Sequence, residues 1–326
     1  MRWLLPRYVR RVLTEPISSV VLSIALVLAC ERTPPASGRK DTVVPVAPPP
    51  ETTAVTPPEV STWDSTAGPA LFIVGPTARE AFVIAPRFTD TSAIDSARFE
   101  SAVLRALQLE LFAGGSRVGY ARITTIVGST RTDSCRVWPI ARLEQLAADT
   151  ASSRDWAIGF SSNHAAELPV DSITGLTSAD SARLAADIAR IASALPGDTS
   201  ATFRGLPFVV TKAWRSRAVT GPQILAAIVV RNVNQEANPQ QERILLIAER
   251  DTTTATPRYS PRYSERVNGP EEAIETTDLV AIVLLGADRR PTLIITREAG
   301  SGSSYALIER IAGVWQRRWA SAYAGC

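Results

Sequence analysis

The chain has 326 residues, with 35 lysines and arginines against 32 aspartates and glutamates, and one histidine. Setting aside the first 29 residues, which hold Arg2, Arg7, Arg10, Arg11 and Glu15, leaves 31 residues of each sign. A nucleic-acid surface needs a clustered positive excess; this chain has none, so nucleic acid is excluded as a partner.

Residues 17–30 read I-S-S-V-V-L-S-I-A-L-V-L-A-C and follow four arginines. A basic start, a short apolar run and a small residue before the end form the layout of a secretion signal. The run is shorter than the roughly 20 residues a membrane-spanning helix requires, and Glu15 and Pro16 block its extension. Its end, V-L-A-C at residues 27–30, resembles the lipobox of bacterial lipoproteins. The resemblance implies cleavage before Cys30 and acylation of its thiol with palmitate-type chains. Each buried methylene of such a chain contributes about 0.8 kcal/mol to membrane binding. Glu31 stands where this family often places an inner-membrane retention aspartate, which points to the outer membrane. The alternative is an ordinary cleaved signal with an incidental cysteine.

With Cys30 acylated, Cys135 and Cys326 remain. Outside the cytoplasm such a pair is a candidate disulfide; two free thiols are the alternative. Two cysteines and one histidine do not make a structural zinc tetrad, and no metal or cofactor is expected.

Residues 31–69 are rich in Pro, Thr, Ser and Ala. Such a composition cannot bury a core and favours extended polyproline II, so this segment reads as a tether. The fold class expected after it is α+β, mostly antiparallel β. Residues 70–220 form an α+β portion and residues 221–326 an antiparallel β-repeat portion, propeller-like or a meander. Strands are expected at 70–74, 81–85, 107–112, 118–127, 135–138, 156–160 and 206–214. Helical spacing predicts a helix over 90–107, one or two turns over 141–148, and a clear helix over 179–194. Thr177 or Ser178 is placed to cap that last helix. From residue 224 the pattern turns to strands alone: 224–230, 244–248, 279–285, 293–296, 305–308 and 314–319, with P-R-Y-S-P-R-Y-S at 257–264 in an intervening loop. The runs at 224 and 279 echo one another, as do those that follow them, an imperfect repeat of blade length.

Residues 284–319 are similar to the FG-GAP or VCBS-type β-repeats, through L-L-G-A-D-R-R-P-T-L-I-I. The resemblance implies a β-repeat built around Arg290, Pro291 and Leu293. Calcium takes about six to eight oxygen ligands; of the family's loop aspartates only Asp288 is present, so no calcium site is expected.

His164 is the only histidine, so any Ser-His or Cys-His scheme runs through it. Ser161 and Ser162 are its nearest nucleophile candidates and define the alternative function, a surface hydrolase. The segment G-F-S-S-N lacks the second glycine of a nucleophile elbow. Asp90 with Asp95, and Glu271, Glu272 and Glu275, are carboxylate groups expected at a helix start and in a solvated loop. Strand alternation places Trp315, Arg317 and Trp319 on one face, either as core or as a carbohydrate- or peptide-binding surface. The leading expectation is an exported lipoprotein, anchored to the cell envelope through the Cys30 lipid. Its role is non-enzymatic, with an envelope protein or a glycan as the partner.

Overall fold

The computed structural model describes residues 63–325, apart from 64, 90–103, 129–130, 133–134, 147–154, 197–200, 218–220, 235–237, 254–256 and 301. The signal segment, Cys30, Cys326 and the tether up to residue 62 lie outside the described residues. So do Asp90, Asp95 and all but the last four positions of the helix expected over 90–107. Everything described belongs to one compact unit, Pro57–Cys326. Among the described residues, no helix is long and apolar enough to cross a membrane.

The fold is α+β and mostly antiparallel β, built in layers. The first layer is a closed barrel. β1 (Leu71–Val74) and β2 (Glu80–Ile84) form a hairpin, as do β3 (Gln108–Ala113) and β4 (Ser116–Val127). After the short β5 (Arg131–Thr132) and β6 (Cys135–Arg136), β7 (Ile140–Leu146) bridges β2 to β4, and β8 (Ile158–Ser161) closes β3 onto β1. Phe72, Val83, Leu109, Leu111, Ile123, Leu143 and Trp156 fill the interior.

β7 corrects the helical turns expected over 141–148. Ala, Leu, Glu and Gln favour helix, yet Ala141 and Leu143 are buried while Arg142 and Glu144 between them are exposed. That period of two, paired to a neighbour on each side, overrides local propensity.

The chain then crosses through β9 (Ala165–Ala166) and β10 (Val170–Ser172) to α1 (Ser178–Ser193). Thr177 caps α1: its hydroxyl accepts from Asp180 N at 3.2 Å and donates to Asp180 Oδ2 at 2.9 Å. Leu184, Ile188 and Ile191 form the buried stripe, as the spacing predicts. That stripe packs on a five-stranded sheet, ordered β10, β11 (Val209–Ser216), β12 (Gln223–Val233), β13 (Gln240–Arg250) and β14 (Ser260–Pro270). β14 takes in most of the duplicated P-R-Y-S segment expected to be a loop. Its two prolines are tolerated because β14 is the sheet's edge.

The remaining strands, β15 (Thr276–Leu285), β16 (Arg290–Ala299), β17 (Gly302–Ile311), β18 (Val314–Ala320) and β19 (Ala324–Gly325), join β5, β6 and β9 in a second large sheet. Both sheets run as meanders. The echoed runs become two hairpins that face each other: Ile224, Ile228, Leu245 and Ile247 from one meet Leu279, Ile282, Leu293 and Ile295 from the other. The outer face of the second sheet, with Val283, Leu285, Ile294 and Leu307, packs on the barrel residues Leu71, Ile73, Phe112 and Phe160. The order of layers is therefore helix, sheet, sheet, barrel.

Two glycines make the junction between barrel and second sheet. Gly114 O accepts from Ile282 N at 3.1 Å, and Gly115 O accepts from Leu168 N at 2.9 Å. A Cβ on Gly115 would lie 1.8 Å from Leu168 O, so no side chain fits at that crossing.

Candidate functional site

Ser161 ends β8, and Ser162 and His164 fall in the turn after it. His164 Nδ1 lies 2.8 Å from Thr66 O; a carbonyl only accepts, so Nδ1 carries the proton. The ring is oriented by a backbone oxygen rather than by a carboxylate. Ser162 Oγ donates to Gln108 O at 3.1 Å. Ser161 Oγ is buried and makes no hydrogen bond, so His164 is not paired to it. Both crowd Gly68, where a Cβ would lie 2.6 Å from Ser161 Oγ and 3.4 Å from His164 Cγ. A nucleophile and base within hydrogen-bond reach are what acyl transfer needs, and neither serine is bonded to this ring.

Trp315 and Trp319 do not share a face, contrary to simple alternation. Leu307 pairs with Trp319 and Ile308 with Arg317, so Arg318 is an extra, bulged residue. A bulge reverses the sense of the pleat. Trp315 and Arg317 consequently face the first sheet, while Trp319 faces the barrel. Trp315 is 3% exposed and donates from Nε1 to Glu249 at 2.8 Å; Trp319 is 1% exposed and donates to Pro86 O at 2.9 Å. Both rings are core, and their polar atoms are satisfied internally.

What sequence reasoning missed lies beside Trp315. Between β13 and β14 on one side and β15, β16 and β18 on the other, the sandwich opens into a cleft of about 720 Å³. Five arginines line it (243, 266, 297, 317 and 318) against two glutamates, Glu265 and Glu275. Its floor is apolar, with Ile228, Leu245, Val267 and Trp315.

The glutamates are already engaged. Glu265 accepts from Tyr263 and from Arg297, and Arg317 Nη1 reaches its Oε1 at 3.4 Å. Glu275 accepts from Tyr323 and sits 3.6 Å from Arg297 Nε. It is part of this network, not the solvated loop expected. Burial pushes the Tyr263 hydroxyl well above its ordinary pKa, and the Glu265 charge adds to the effect.

Arg243 and Arg318 are different. Neither has a carboxylate within ion-pair distance among the described residues, and the Nε of each is buried without a hydrogen bond. Arg243 reaches only Gln241 Oε1, at 3.1 Å. Burial pulls its pKa below the usual arginine value, opposed by the charge of Asp278. Asp278 acts on Arg243 and Glu309 on Arg318 only from beyond ion-pair distance, so these half-buried guanidiniums keep donors that no close carboxylate engages.

The sequence carries a faint signal for Arg243. In R-I-L-L-I-A-E it alternates with Leu245, Ile247 and Glu249, so charges bracket an apolar pair on one face. Which strand lies opposite could not be read. Asp288, in the turn between β15 and β16, accepts from Arg290 Nη1 at 3.1 Å. Among the described residues, no group of three or more His, Cys, Asp and Glu side chains is placed to hold a metal ion.

No protein-family model matches the chain, and no curated protein or solved structure matches it.

Proposed function

We propose that this chain is an exported lipoprotein, held on the outer membrane by acyl chains on Cys30, with a non-enzymatic binding role in the cell envelope. The arginine-lined cleft is its ligand site, and the ligand is an anion. The observation that carries the binding role is the pair Arg243 and Arg318, two partly buried cations lining one cleft, neither with a carboxylate within ion-pair distance among the described residues. A cleft of about 300–1,000 Å³ is the usual size for a small-molecule site, and guanidinium groups recognise carboxylate and phosphate through paired N–H donors. The anchoring role is supported by the basic, apolar and small-residue layout that ends at Cys30.

Two measurements test this. Metabolic labelling with a palmitate analogue should tag the full chain, and Cys30→Ser should abolish the tag and release the protein from membranes. Titration of the full chain with anions, followed by tryptophan fluorescence, should show saturable binding that weakens with added salt. A soluble, unlabelled wild-type protein would overturn the anchor, and anion-insensitive fluorescence with no calorimetric signal would overturn the cleft. The hydrolase reading predicts stoichiometric labelling of Ser161 or Ser162 by a serine-reactive phosphonate; the binding reading predicts none.

A further inference from the structure

We infer that the cleft takes an organic carboxylate, a reading that rests on the anion-binding role proposed above. The chain shows how it holds this group elsewhere along the same layers. Glu242 is wholly buried between Arg231 Nε at 2.6 Å and Arg266 Nη1 at 3.3 Å. Glu249 lies between Arg310 Nε at 2.5 Å and Arg262 Nε at 3.7 Å. Glu265 lies between Arg297 and Arg317. Each of these carboxylates is gripped by two guanidiniums, the planar fork that matches a planar anion. Arg243 and Arg318 are two further guanidiniums in the cleft that holds Glu265, and among the described residues no carboxylate lies within ion-pair distance of either.

The floor decides between ligand chemistries. Ile228, Leu245 and Trp315 are buried beneath Tyr263 and Val267, whose half-buried side chains offer nothing to a small, strongly hydrated inorganic anion, whereas a carboxylate on a carbon skeleton covers them and fills the guanidinium fork together. The ligand class is therefore a carboxylate-bearing organic molecule of short-peptide size, with an apolar group between or beside its acids.

The test is calorimetric titration of the full chain in detergent micelles with three probes: the tripeptide glutamyl-leucyl-glutamate, its fully amidated glutamine counterpart, and inorganic phosphate. The acidic peptide should bind at least about tenfold more tightly than either of the others, the scale of one charged hydrogen-bonded contact. Arg243→Gln and Arg318→Gln should each weaken it by about tenfold or more. Arg243→Lys, which keeps the charge and loses the fork, should fall between wild type and Arg243→Gln. Thermal melting checks that each variant folds, and the wild-type comparison of probes stands even if one does not. Equal binding of phosphate and acidic peptide would overturn the carboxylate assignment and leave the anion site standing. No binding by any probe would overturn both. Peptide binding untouched in every variant would remove the cleft from consideration.

Discussion

Trp315 and Trp319, four positions apart on β18, belong to two different cores because Arg318 between them has no partner on β17. One bulge thus lets a single edge strand lock both interfaces of the second sheet. Trp315 ties it to the first sheet through Glu249, and Trp319 ties it to the barrel through Pro86. Trp319 also meets the ring of Trp63 edge-on, with centroids 5.0 Å apart.

Because the two rings belong to separate hydrophobic clusters, their contributions should be nearly independent. Trp315→Ala and Trp319→Ala should each cost about 3–5 kcal/mol, and the double variant should cost close to the sum. Urea unfolding measures this. A coupling of more than about 1 kcal/mol would mean that the two interfaces do not act as separate layers. Trp319→Ala should leave anion binding intact, since Trp319 does not line the cleft.

The adjacent glycines at the tip of the β3–β4 hairpin should respond differently to the same change. Gly114 has φ +61°, and the nearest atom to a Cβ there is Val170 Cγ2 at 3.5 Å, so Gly114→Ala meets backbone strain of about 1 kcal/mol. Gly115 has no such conformational demand, but its Cβ would lie 1.8 Å from Leu168 O. Gly115→Ala must therefore push the hairpin tip off the 168 segment and break the hydrogen bond from Leu168 N to Gly115 O. Thermal melting should show the larger loss for Gly115→Ala; the reverse order would mean that the tip is not clamped in this way.

How much of this was legible in advance follows from the range of the physics involved. α1 and its Thr177 cap, and the strands from Ile224 to Trp319, were readable because periodicity and capping are local. Residues 141–146 were not, because their composition favours helix and only pairing to β2 and β4 makes them a strand. β14 was hidden by prolines that an edge position tolerates. The cleft was hidden for a different reason: Arg243, Glu265 and Arg297 come from separate hairpins, and they meet only through the registry of two stacked sheets.

Glu309 is buried, 1% exposed, on β17, and its carboxylate oxygens make no hydrogen bond. Arg290 Nε lies 3.4 Å from Oε2, near enough to attract but without hydrogen-bond geometry. Burial raises the pKa of this carboxyl, while the charges of Arg290 and Arg318 oppose the rise and Asp288 adds to it. The folded protein thus binds this proton more readily than the unfolded chain. Stability contributed here is lost as the pH climbs from the unfolded carboxyl value, about 4.3, through the higher folded value. Glu309→Gln should therefore raise the melting temperature at pH 7, and the gain should vanish on acidification below the unfolded value. A neutral-pH loss in this variant would mean that the ion pair with Arg290 outweighs desolvation.

Cys135 and Cys326 are the cysteine pair that the sequence offers for a bridge. Residue 326 and the Cys135 side chain lie outside the described residues, but Gly325 of β19 pairs antiparallel with Arg136 of β6. The prediction for Cys135 and Cys326 rests on the sequence: an even pair of cysteines outside the cytoplasm is a candidate disulfide. Peptide mapping without reductant should find the linked pair in exported protein, and Cys135→Ser should cost about 2–5 kcal/mol while leaving anion binding unchanged. If both thiols of the native exported protein react freely with a maleimide, the bridge is absent.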